Sequence, residues 1–207
     1  MGFSGIRGVA YLFCQWFVRL VYVNFLWMVF SLLGLIVLGV FPATVAMFSV
    51  TRQWVMGNED APLLNTFMKS YKKEFAKANG VGILLLILGY LLYVAIQFVR
   101  SWDSAMGDLL FLLSFSIILI YSVVLIYIFP VAAHYDAKII GLIKNAFVIG
   151  ISHPLRTLII IISCVSVYIV LSLVDLLFFF FASTLSLVIM WAVYRPFTLI
   201  DERRESL

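Results

Sequence analysis

The chain has 207 residues and a mass of 23.5 kDa; 65% of its residues are hydrophobic, 12% are charged, and the mean hydropathy is +1.15. A soluble domain is about half apolar and about a quarter charged, so a soluble globular protein, a disordered chain and a small disulfide scaffold are excluded, and an all-α polytopic membrane protein is implied. The net charge of +4 is gathered in a few membrane-flanking segments, where orientation and anionic lipid account for it better than nucleic acid does.

Crossing a hydrocarbon core ~30 Å thick takes about 20 helical residues. Uncharged runs of that length occupy residues 21–40, 80–99 and 109–131. A longer run, 157–194, is interrupted only by Asp175. An aspartate at mid-membrane is costly, so Asp175 marks a turn, and spans are expected over 157–174 and 176–194. The chain then reads as a single integral membrane domain, 1–207, with about five transmembrane helices. Trp16, Tyr22, Trp102, Trp191 and Tyr194 fall near the predicted edges, where amphipathic rings settle. With the N-terminus outside, eleven Lys and Arg fall in the cytoplasm and three outside. The positive-inside rule therefore predicts an outside N-terminus and a cytoplasmic C-terminus. The opposite arrangement would need a crossing within residues 42–50, too short a helix for the task. The first run is longer than a signal-peptide core and reads as a retained anchor.

Between the first two spans, Pro42 suits the first turn of a helix, where its missing N–H is not needed. Gly57 and Asn58 tolerate the left-handed geometry that ends one. The pattern predicts a short helix over residues 42–56, either re-entering the membrane or lying on it, with Arg52 and Trp54 at the interface. Asp60 is the expected N-cap of the next helix. There Leu64, Phe67, Tyr71, Phe75 and Ala78 recur every three or four residues, with Lys69, Lys72, Lys73 and Lys77 mostly on the other side. This is a basic amphipathic helix, suited to an anionic bilayer surface or to a partner protein. Residues 132–156 repeat the design more weakly through Ile139, Ile143, Phe147 and Ile151. Pro154 closes that segment, and His153 before it is turned away from helical geometry.

The residues carry no familiar reaction chemistry. The uncharged spans contain no internal Lys, Arg, His, Asp or Glu, whereas ion-coupled carriers place such groups near mid-membrane. His134, His153 and Asp136 have no metal-ligand spacing, and no nucleophile elbow or phosphate-binding loop is present. Cys14 and Cys164 stand far apart and read as two free thiols. No enzyme activity, catalytic residue, cofactor or metal is expected.

Asn24-Phe25-Leu26-Trp27, then Gly34, then Phe41-Pro42-Ala43-Thr44 form an ordered series. Arg52-Gln53-Trp54, Gly57 to Pro62, and Tyr71-Lys72-Lys73-Glu74-Phe75 continue it. This order resembles the YesL-like family of bacterial integral membrane proteins, a domain of unknown function, with Asn24, Trp27, Pro42 and Gly57 as structural motif residues. Phe129-Pro130, His134-Tyr135 and His153-Pro154 are similar to its second half. Members stand beside genes for sugar-uptake ABC importers and polysaccharide-degrading enzymes. The resemblance thus implies a non-enzymatic accessory role in carbohydrate uptake. Arg52, Trp54, Lys69, Lys72, Lys73 and Lys77 would contact an importer permease or the bilayer. The alternative is a small autonomous transporter or channel, for which a homo-oligomer would enclose the path.

Overall fold

A computed structural model describes residues 6–102, 104–173 and 180–205. Asp175 lies outside the described residues. The described chain forms seven helices and no strands: α1 (Ile6–Leu33), α2 (Val37–Val55), α3 (Leu63–Arg100), α4 (Ala105–His134), α5 (Ile139–Ser152), α6 (Pro154–Ser172) and α7 (Phe181–Glu205). Four stretches are long and apolar enough to cross a membrane: Tyr11–Leu33, Leu63–Arg100, Ala105–His134 and Pro154–Ser172. They contain the expected runs 80–99 and 109–131 and nearly all of 157–174. The run 176–194 begins outside the described residues, and its described part belongs to α7.

The first expected span, 21–40, is broken by a turn at residues 34–36. Leu35 and Ile36 adopt φ of 57° and 63°, a left-handed conformation that costs an L-residue about 1–2 kcal/mol. The two helix ends press together where Gly34 and Gly39 lack side chains. A Cβ on Gly39 would strike the Ser31 carbonyl, and one on Gly34 would strike the Gly39 backbone. The glycines therefore make a tight antiparallel hairpin of α1 and α2, which one straight span would not contain.

α2 also departs from expectation. It starts at Val37, so Pro42 lies inside it rather than in its first turn. A proline there leaves the carbonyl four residues earlier without its N–H donor. Asn79 of α3 fills the gap, its Nδ2 donating to the Leu38 carbonyl at 2.9 Å. Pro196 in α7 is treated alike: Arg156 of α6 donates from Nη1 to the Ala192 carbonyl at 3.3 Å. α2 neither lies on a surface nor stands alone in lipid. Ala43, Ala46, Val50 and Trp54 are buried between α1 and the start of α3, and Phe48 joins the core of α4 to α7. Its expected end holds. Gly57 has φ 84°, its N–H donates to Trp54 O, and Asn58 N–H donates to Gln53 O, the paired bonds of a glycine-terminated helix.

The basic amphipathic helix and the second span are one helix. At 38 residues α3 is about 57 Å long, nearly twice the hydrocarbon thickness. Its first half packs on α2, burying Phe67, Glu74, Ala78 and Asn79. Its second half and the start of α4 form an antiparallel pair, tied by Tyr121 Oη donating to Leu85 O at 2.8 Å. That pair exposes Leu86, Tyr90, Leu112 and Phe115, a surface made for lipid. Pro62, not Asp60, precedes the helix, with no side-chain cap. Arg19 holds Glu59 at 2.6 Å and Asp60 at 3.7 Å instead.

That contact has a topological consequence. Arg19 of α1 meets the α2–α3 link, and Trp16 packs edge-on against Trp54. The N-terminal half of α1 thus stands at the same end of the hairpin as the link, where a single crossing over 21–40 had separated them. α5 is the short helix expected after α4, but its buried face is Leu142, Ala146, Ile149 and Gly150. Phe147 and Ile151 of the expected stripe are exposed. Tyr127 Oη and Thr157 Oγ1 lie 2.9 Å apart, and Thr157 donates to Gly150 O, which joins α4, α5 and α6 through a satisfied buried pair.

Candidate functional site

Lys69, Lys73 and Lys77 are spaced by four on α3, so they share a face. Lys72 falls off that series and is exposed to one side. The shared face looks across to α2 and to the link after α4. There Ser49, Arg52, Gln53, Thr66, Lys69, Ser70, Lys73, Glu74 and residues 132–136 enclose a polar cleft of about 330 Å³. Of the expected contacts, Arg52, Lys69 and Lys73 meet here, and Lys77 stands at its edge. Trp54 does not. Two residues past Arg52 on a helix, it faces the other way, toward Trp16, Leu187 and Trp191.

Two carboxylates organise the lysines. Asp136 takes Lys73 at 2.9 Å and Lys77 at 2.7 Å. Buried Glu74 takes Lys77 at 3.1 Å, with Lys73 at 3.8 Å. These four charges balance, and a buried carboxylate is tolerated when paired in this way. Arg52 donates from Nη1 to the Ala133 carbonyl at 3.3 Å, covering a bare carbonyl in the last turn of α4. Its Nε makes no hydrogen bond. Among the residues whose side chains are described, no carboxylate lies within ion-pair distance of Arg52 or Lys69. The cleft wall is further set by Ser49 and Ser70, whose hydroxyls meet at 2.8 Å.

The carboxyl of Asp136 is lowered to about 2, chiefly by the hydrogen bond from Lys77 and then by that from Lys73. A carboxylate depressed in the folded state adds stability above its ordinary pKa near 4, and that stability is lost as the pH falls through about 2. Asp136 is largely exposed, so the gain is small. The thermal midpoint of the wild type should exceed that of Asp136→Asn by a constant margin above about pH 4, and the margin should vanish near pH 2. A margin unchanged down to pH 2 would count against the ion pairs.

The structural motif residues lie elsewhere. Asn24 is buried in α1, with Nδ2 at 3.9 Å from Met28 Sδ. Trp27 donates from Nε1 to Thr44 Oγ1 at 3.0 Å, binding α1 to α2. Pro42 and Gly57 set the form of α2, and no Cβ on Gly57 would meet a neighbour. Among the described residues no group of three His, Cys, Asp or Glu could hold a metal. His134 and Asp136 do border one cleft, but His153 sits between α5 and α6. The basic side of α3 was legible from its spacing. Glu74, Asp136, Ser49 and Ser70 were not expected at this site, because only the packing of α2, α3 and α4 brings them together.

Residues 20–96 match the family described as Protein of unknown function, DUF624. The chain is 38% identical to the uncharacterized protein YesL of Bacillus subtilis (strain 168), over 94% of this chain and 92% of that protein. It is 32% identical to the uncharacterized protein YteU of the same organism, over 98% and 91% of the two chains. Identity with its uncharacterized protein YesV is 34%, over 93% of each chain. No solved structure matches.

Proposed function

Because the chain belongs to the YesL-like, DUF624 family of membrane proteins, we propose that it is a non-enzymatic accessory component of a carbohydrate ABC importer in a bacterial cell membrane. The observation that carries this reading is the segregation of charge. Residues 80–99, 109–131 and 157–173 contain no Lys, Arg, His, Asp or Glu, whereas Arg52 and the lysines of α3 gather at one end of the bundle. A chain that couples solute movement to ions keeps titratable groups along the path. A chain that works on a neighbour keeps them where the neighbour can be reached. The exposed face of α3 around Lys69 and Lys72 is the surface offered to a permease subunit.

The same reading revises the expected sidedness. With α1 paired to α2, the two helices enter from one side together; α2, at 19 residues, is about 28 Å long and packs against α1 rather than presenting itself as a separate apolar span. The N-terminus then shares a side with the α2–α3 link. Phe197 near the end of α7 packs on His134 and Tyr135 beside the cleft, which brings the C-terminal segment to that side too. Arg19, Arg52, Lys69, Lys73 and Lys77 then share one face and Arg100 ends α3 on the other, and the positive-inside rule makes the richer face cytoplasmic. A cysteine introduced at Ser4 should resist a membrane-impermeant thiol reagent in intact cells; labelling there would restore the outside N-terminus.

The accessory role is tested by gentle solubilisation of the tagged protein from its native cells. An importer permease in near-equal amount is the expected result. Recovery of the protein alone would overturn it in favour of an autonomous small transporter or channel. That second reading draws on an apolar cavity of about 450 Å³ between α1, α2, α4, α6 and α7, lined by Trp27, Thr44, Phe48 and Cys164 among others. It predicts solute flux in liposomes that contain only this protein.

A further inference from the structure

We propose that the cleft between α2, α3 and the α4–α5 link binds a phosphate group, as a free phosphate ester or as the headgroup of an anionic phospholipid. The inference goes beyond the importer reading and is tested on the protein without a permease.

Charge bookkeeping within the cleft leads to it. Lys73 and Lys77 are neutralised by Glu74 and Asp136. Arg52 and Lys69 line the same cavity and, among the residues whose side chains are described, have no carboxylate partner. Two helices, α2 and α4, end near this cavity, and each C-terminus carries about half a negative charge. Together they offset about one of the two positive charges, so among the residues whose side chains are described the cleft remains cationic. Water screens such an excess poorly inside a cavity, and a bound anion is the chemical complement.

The donor set selects among anions. The guanidinium of Arg52 is already oriented by its bond to the Ala133 carbonyl, while its Nε is buried and makes no hydrogen bond, so the Nη groups are the ones at the cavity. A planar fork held in place suits the paired oxygens of a phosphate or carboxylate, and an ammonium adds a point charge. Thr66 and Gln53 add a hydroxyl and an amide around the same space, while Ser49 is engaged in donating to the Val45 carbonyl and Ser70 pairs with it at 2.8 Å. A tetrahedral phosphate has more acceptor oxygens than a carboxylate and uses this larger donor set more fully. The volume of about 330 Å³ lies at the small end of ligand pockets, about 300–1,000 Å³. It admits a phosphate with a small organic substituent and leaves acyl chains outside.

The test uses full-length protein in a neutral sugar-based detergent, with thermal unfolding as the readout. The probes are inorganic phosphate and dihexanoyl phosphatidylglycerol, against chloride and acetate at matched ionic strength. A saturating probe should raise the midpoint by about 5 °C over chloride. Arg52→Gln should abolish the shift. Lys69→Gln, at an exposed residue that carries no structural contact, should fold normally and weaken the apparent Kd about tenfold. Lys144→Gln, an exposed lysine of α5 outside the cleft, should leave the shift intact. A shift with both probes identifies a free phosphate ester as sufficient; a shift with the lipid alone identifies the headgroup. The proposal is overturned if neither probe shifts the midpoint, if acetate matches phosphate, or if the shift survives in both Arg52→Gln and Lys69→Gln.

Discussion

Gly39→Ala is expected to cost about 3 kcal/mol or more, the largest effect of any single substitution considered. The added Cβ meets the Ser31 carbonyl and its neighbouring backbone atoms. Backbone cannot swing aside as a flexible side chain can, so α1 and α2 would have to separate along their closed end. The bond from Trp27 to Thr44 lies on the same interface and would be strained with it. The measurement is the thermal midpoint and folded yield in mild detergent. Gly57→Ala is the comparison. Gly57 has φ 84° and open space around its missing side chain, so the change costs only the left-handed backbone, about 1 kcal/mol. A Gly39→Ala protein that melts with wild type would mean that the tight hairpin is not required.

Asn79→Leu carries the second large effect. Asn79 is buried, and its amide is the donor to the Leu38 carbonyl. That carbonyl lacks its helical partner because residue 42 is proline. Removing the amide leaves a buried acceptor unsatisfied, at about 1–3 kcal/mol. The second substitution makes the test specific. Pro42→Ala returns a backbone N–H to the helix, so most of the loss should be recovered in the double variant. A coupling of about 1 kcal/mol or more between the two sites is expected. Simple additivity would show that Asn79 acts by filling space and not by completing the α2 ladder.

The legible parts of this fold were those governed by local rules. The uncharged runs over 80–99 and 109–131 lie within α3 and α4 because length and apolarity set what a helix can do in lipid. The glycine-terminated end of α2 followed from Gly57, since few other residues enter left-handed backbone at low cost. The apolar stripe of α3 set Lys69, Lys72, Lys73 and Lys77 mostly on the other side without any knowledge of what lay opposite. The illegible parts were partnerships. Asp60 was a reasonable cap by local chemistry, but it stands beside Arg19, forty-one residues earlier in the chain. Trp54 and Arg52 looked like neighbours in a motif, yet helical rotation sends one into a tryptophan cluster and the other into the cleft.

By itself, the sequence determined that this is a helical membrane protein of the YesL-like family, where its most apolar segments lie, and which lysines share a helix face. The membrane class and the shared helix face follow from composition and periodicity, which act over a few residues, and the family from the resemblance of its ordered motifs. Tertiary structure alone decided that residues 37–55 form an enclosed helix, that α1 folds back on it, and that Asp136 and Glu74 neutralise two lysines while Arg52 and Lys69 face a cavity. The physical reason is that apolar surface attracts apolar surface without direction. The apolar stripe of α3 therefore suited a bilayer surface or α2 equally well, and only the closed shape made by Gly34 and Gly39 brought α2 within reach.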